Sequence, residues 1–174
     1  MVSRFFQIAI LVLGTLVVNA PCQTLPHLEG ETLSGKPIIL PDAAHGKIAL
    51  LTMGFSKKGG HVCGEWQKRF NQDFGKNASY AAYPVAVLED MPRFVRGMAT
   101  GGMRRDTPPE QLDKFVLLFH DEAEWKKFVG YAASDDAYLL LLDGKGEVRW
   151  RGHGVLQEKD YAPLREAAKQ LATK

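Results

Sequence analysis

The residues best placed to do chemistry lie in FSKKGGHVCGEW, Phe55 to Trp66. Cys63 is preceded by His61, by Gly59 and Gly60, and by Lys57 and Lys58. A cysteine just before a helix is stabilised as an anion by the helix N-terminus and by nearby cations. Its pKa then falls to roughly 3.5–7.5 from about 8.5. On this reading Cys63 is the catalytic nucleophile, Gly59 and Gly60 line its pocket with backbone N–H groups, and His61 adds positive charge. The other reading is structural. Free cysteine is among the most buried residue types, and two glycines let a chain turn. The sequence leaves both open. His61 and Cys63 also form an H-x-C pair, with His120 and His153 further along. One sulfur is too little thiolate for a soft-metal site, so neither metal nor other cofactor is expected. His120 and His153 read as exposed residues at strand ends or in loops.

The only other cysteine is Cys22, and its fate depends on the N-terminus. MVSRFFQIAILVLGTLVVNAPCQ opens with Arg4, runs apolar from Phe5 to Val18, and then turns to small residues. That is the three-part pattern of a secretory signal peptide. The run falls short of the roughly 20 apolar residues of a spanning helix and contains Gln7 and Gly14. A single arginine and little serine argue against a mitochondrial transit peptide. The expected organisation is a signal peptide over 1–22 and one domain over 23–174, exported to the periplasm or the medium. If Cys22 leaves with the signal, the mature domain has one thiol and no internal disulfide. If it stays, a bridge to Cys63 would have to form from a frayed terminus.

The chain has 174 residues, 45% of them hydrophobic, with a net charge of +2. This suits one domain with a real core. No basic run or basic-aromatic stripe points to nucleic acid.

The elements that position Cys63 follow from periodicity. LEGETLSGKPIILP reads as a hairpin turning at Ser34-Gly35. GKIALLTMGF is a continuous apolar run, as expected of a strand buried on both faces. From Gly64 the period becomes helical, with Trp66, Phe70 and Phe74 on one side. YAAYPVAVLED is a second strand, with Pro84 placed near its start. Asp90 then caps a helix over MPRFVRGMA that stops at Thr100-Gly101-Gly102. MRRDTPPEQLD reads as a loop, with one helical turn after Thr107 and Arg104-Arg105 exposed in it. KFVLLFH is a third strand, DEAEWKKFVG a short helix, and DAYLLLLDGKGEVRWRGHG a hairpin turning at 143–146. A last helix runs from about Glu158 to Leu171. Strands alternating with helices imply an α/β fold, with a buried mixed sheet and helices on both faces.

A cysteine-bearing loop between the first long strand and its helix resembles the thioredoxin-like superfamily. LEGETLSGKPIILPDAAHGKIALLTMGF resembles its exported and peroxiredoxin-type branch. The resemblance implies a thioredoxin-like fold with an N-terminal β-hairpin. The chain departs from the catalytic patterns, however. In place of C-x-x-C it has Gly60-His61-Val62-Cys63, and a dithiol needs both sulfurs. No proline stands near Asp136-Ala137-Tyr138, where the superfamily keeps a cis-proline. Gly60 and Ser56 occupy the positions of the peroxiredoxin hydroxyl residue and proline. YLLLLDGKGEVRWRGHG resembles the C-terminal part of the mitochondrial ATP synthase assembly factor with a thioredoxin-like fold. That family assists assembly and has no dithiol chemistry, although an exported N-terminus does not suit a mitochondrial protein. The expected function is therefore binding or assembly assistance in the cell envelope. The alternative is a monothiol peroxidase or exchange enzyme using Cys63. The expected partner is a protein or an external thiol, with no nucleic acid and no membrane span after signal cleavage.

Overall fold

The apolar run over 48–54 forms β4 (Ile48–Gly54), buried at every position. It is the centre of an eight-stranded sheet in the computed structural model, which describes residues 23–173. The expected signal segment and Cys22 lie outside the described residues. The strands before β4 are β1 (Gln23–Thr24), β2 (Leu28–Thr32) and β3 (Pro37–Leu40). After it come α1 (Lys57–Phe74), β5 (Tyr80–Val87), α2 (Arg93–Asp106), β6 (Val116–Leu118) and α3 (Glu122–Val129). The chain ends with β7 (Ala137–Leu142), β8 (Glu147–His153) and α4 (Glu158–Ala172). The sheet order is β1-β8-β7-β4-β5-β6-β2-β3. β4, β5 and β6 run parallel, as the helical crossovers α1 and α2 require, and every other pairing is antiparallel.

Each face of the sheet buries its own side chains. On one face Trp66, Phe70 and Phe74 of α1 and Tyr161, Leu164 and Ala168 of α4 pack on Leu50, Leu139 and Leu141. On the other, Trp125 of α3 packs among Leu51, Met53, Tyr83, Val85 and Leu140. α2 covers a smaller patch around Leu33, Leu88 and Leu117, using the half-buried Met103.

Two helix boundaries and the place of one proline differ from the sequence reading. α1 begins at Lys57 instead of Gly64, because Ser56 caps it: its Oγ accepts the Gly59 N–H at 2.9 Å. Gly101 and Gly102 lie inside α2 instead of ending it, although each costs about 1 kcal/mol relative to alanine. The stop is at Thr107, extended at ψ 128° before Pro108, because a proline pushes the preceding residue out of the helical region. Arg104 and Arg105 therefore close the last turn of α2, where cations suit the helix dipole. Pro84 sits in the middle of β5, opposite Thr52 of β4. It is tolerated because β6 pairs with β5 only from Val85 onward, leaving that side open.

Candidate functional site

The C-terminal end of β4 delivers the chain to Phe55, Ser56 and the first turn of α1. Beyond capping α1, the Ser56 hydroxyl donates to Asp135 Oδ1 at 3.1 Å, and Lys58 Nζ reaches Asp135 Oδ2 at 3.1 Å. Those two hydrogen bonds, Lys58 first, hold the Asp135 carboxyl below its usual range. The start of α1 is thus tied to the segment entering β7. The backbones meet closely there. A Cβ on Gly59 would lie 2.9 Å from the carbonyl oxygens of both Ser134 and Asp136, and one on Gly54 would lie 2.9 Å from Gly60 N.

The structure separates the four residues expected to form a thiol site. Gly59 is buried in the close approach just described, whereas Gly60 and His61 are exposed. Cys63 is only 4% exposed and belongs to the core beneath α1. Residues two apart on a helix point to opposite sides, so the H-x-C pair does not converge. Cys63 is also the seventh residue of α1, past the first turn where a helix N-terminus acts on charge. Burial pushes its thiol up to about 12, and hydrogen bonds with the Thr52 hydroxyl and the Tyr138 backbone do not offset that. Of the two readings left open for Cys63, burial and position favour the structural one over a low-pKa thiolate at a helix start. The group is a neutral thiol at neutral pH, and it lies under the helix.

The neighbouring space is filled by the rings of Phe55, Tyr131, Tyr138 and His153, whose convergence no local sequence pattern shows. Tyr138 Oη accepts the N–H groups of Ala132 and Ala133 at 2.8 and 2.9 Å and donates to Ala133 O at 2.9 Å. Its ring stacks between Tyr131 and His153, and Phe55 sets its edge against Tyr131 and Tyr138. His153 Nδ1 lies 3.2 Å from Asp136 Oδ2. The turn between β7 and β8 is held by Asp143, which accepts the Lys145 and Glu147 N–H groups and Arg149 Nε. Burial raises the Asp143 carboxyl, but those donors outweigh it and hold it below its usual range. His120 and His153 are both exposed at strand ends. Among the described residues no cluster of three or more His, Cys, Asp or Glu is placed to hold a metal.

A family model described as ATP10 protein matches residues 20–171. The chain belongs to the ATP10 family. The sequence resemblance to an assembly factor lay in one hairpin; the family match runs through the whole sheet. Solved structures give the same architecture. BsSco, a member of the Sco family of cytochrome c oxidase assembly proteins, aligns over 88% of this chain and 96% of its own, at TM-score 0.60 and 12% identity. The thioredoxin domain of a Bacteroides vulgatus thiol-disulfide oxidoreductase aligns over 84% and 96%, at 0.58 and 18%. A thiol-disulfide oxidoreductase from Bacteroides fragilis aligns over 83% and 98%, at 0.57 and 17%. No curated protein matches the chain. At these identities the structural likeness establishes the thioredoxin-like fold expected from the sequence and nothing of the activity.

Proposed function

We propose that this ATP10-family protein assists the assembly of another protein or complex by binding it, without thiol chemistry. The observation that carries this reading is the position of Cys63, 4% exposed beneath α1 with its pKa pushed up to about 12. Thiol–disulfide exchange and peroxide reduction begin with an accessible thiolate. Here the start of α1 instead presents Lys57 and Lys58, with Lys58 tied to Asp135. The ATP10 match supports an assembly role, and BsSco is a fold relative described as belonging to a family of assembly proteins. We place the work outside the cytoplasm, because residues 1–22 have the pattern of a signal peptide. No helix among the described residues is long and apolar enough to cross a membrane.

The test is a Cys63→Ala chain expressed in place of the natural one. The complex that depends on the protein should assemble to the same extent, and crosslinking should capture the same partner as wild type. Loss of assembly with an unchanged melting curve would overturn the binding reading in favour of a monothiol enzyme. Mass spectrometry of the mature N-terminus checks export; a retained Met1 counts against it.

A further inference from the structure

α2 is the one long helix with no buried residue among those described, and its outward side carries both large apolar groups and positive charge. Phe94 is 86% exposed and Met98 80%. At about 100° per residue, Arg93, Arg104, Gly97, Phe94, Arg105 and Met98 fall within an arc of about 140°. The helix's only acid, Asp106, lies outside that arc. Arg93, Arg104 and Arg105 form no ion pair among the described residues, although Arg104 Nε donates to Leu33 O at 2.7 Å. A Cβ at Gly97 or Gly101 would meet nothing within 4 Å, so this side is flat and open between Phe94 and the arginines.

We propose that this side of α2 docks on an anionic lipid surface, lying in the interface plane with Phe94 and Met98 inserted and the arginines against lipid phosphates. Charge complementarity decides the occupant: on this arc of the helix three arginines and no carboxylate stand beside two exposed apolar side chains that are free to enter the acyl boundary. Two apolar residues alone hold a helix to a bilayer weakly, and the arginines supply the second attraction that stable but reversible association needs. The contact is confined to the helix. The part of the same sheet face contributed by β2 carries Glu29 and Glu31, both exposed, which an anionic surface repels.

The full chain is mixed with vesicles of equal parts phosphatidylglycerol and phosphatidylcholine, and separately with phosphatidylcholine alone. Because Arg93, Phe94, Met98 and Arg105 are all exposed, Phe94→Ser/Met98→Ser and Arg93→Glu/Arg105→Glu should leave the fold intact, as far-UV circular dichroism will report. Each double substitution is expected to weaken co-sedimentation with anionic vesicles at least tenfold, and high salt should weaken the wild type. Met98→Trp gives a readout specific to α2: acrylamide quenching of the added tryptophan should fall with anionic vesicles and not with phosphatidylcholine. Unchanged quenching, or vesicle binding unaffected by the substitutions, would overturn the proposal and leave any association to residues 1–22. A shift from oligomer to monomer on Phe94→Ser/Met98→Ser, without any effect on vesicles, would overturn it in favour of contact with a second copy of this chain.

Discussion

α1 and α2 follow adjacent parallel strands and are of similar length, yet the fold uses them in opposite ways. α1 buries seven residues, from Gly59 to Phe74, and its tryptophan donates Nε1–H to Gly154 O at 3.0 Å. α2 buries none and presents Phe94 and Met98 to the outside. The comparison shows that position after a strand does not determine a helix's role. α1 is held by its apolar face and cannot move without opening the core. α2 rests on a narrow patch and leaves an arc of about 140° free for a partner.

The strongest way to break this comparison is to truncate one large side chain on each helix. Trp66→Ala should lower the unfolding free energy by about 3–5 kcal/mol, as expected for a large aromatic removed from a core. Phe94→Ala should change it by no more than about 0.5 kcal/mol. Urea denaturation of the two variants measures both, and equal effects would refute the distinction. A finer test uses glycine. Gly59→Ala forces a methyl against the Ser134 and Asp136 carbonyls and should cost about 1–3 kcal/mol.

The buried thiol gives the comparison a pH dependence. Cys63 titrates at about 12 in the folded chain against an ordinary value of 9.0, so between those values the folded state holds more protons than the unfolded. The stability this group contributes is therefore fully present below pH 9 and declines above it, by at most about 1.4 kcal/mol per pH unit. Tyr83 and Tyr161, both raised, add to the decline only above about pH 10. Cys63→Ala should flatten the loss between pH 9 and 10, read from unfolding curves at closely spaced pH. An unchanged slope would mean that the thiol is not protected. One modest effect has the opposite sign. Gly97→Ala fills open space on a helix and should raise stability by about 0.5–1 kcal/mol.

What was legible in the sequence followed period and length. The fully apolar runs around Leu50 and Leu140 read as buried strands because nothing polar interrupts them. The order of elements then led to the mixed sheet. The candidate site was less legible, for local reasons. Ser56 has no acid three residues later, so the usual reciprocal cap was missing and Gly59-Gly60 read as a loop. Once the helix starts at Lys57 instead of Gly64, Cys63 passes from the exposed start of a helix to its buried side. The contacts of Tyr138 and Asp135 join segments about 80 residues apart to the start of α1, and no local pattern announces them. Gly101-Gly102 looked like a stop because glycine disfavours helix, but the proline pair that follows was the stronger signal.

Two tryptophans are sealed on opposite sides of the sheet: Trp66 among the side chains of α1 and α4, and Trp125 among those of α3, each 1% exposed. The protein therefore carries an optical reporter for each layer. With Trp150, the remaining half-exposed indole, replaced by phenylalanine, Trp66→Phe and Trp125→Phe would each leave one layer emitting. Coincident fluorescence transitions in the two variants would mark the layers as one cooperative unit, and separated transitions would show which layer opens first.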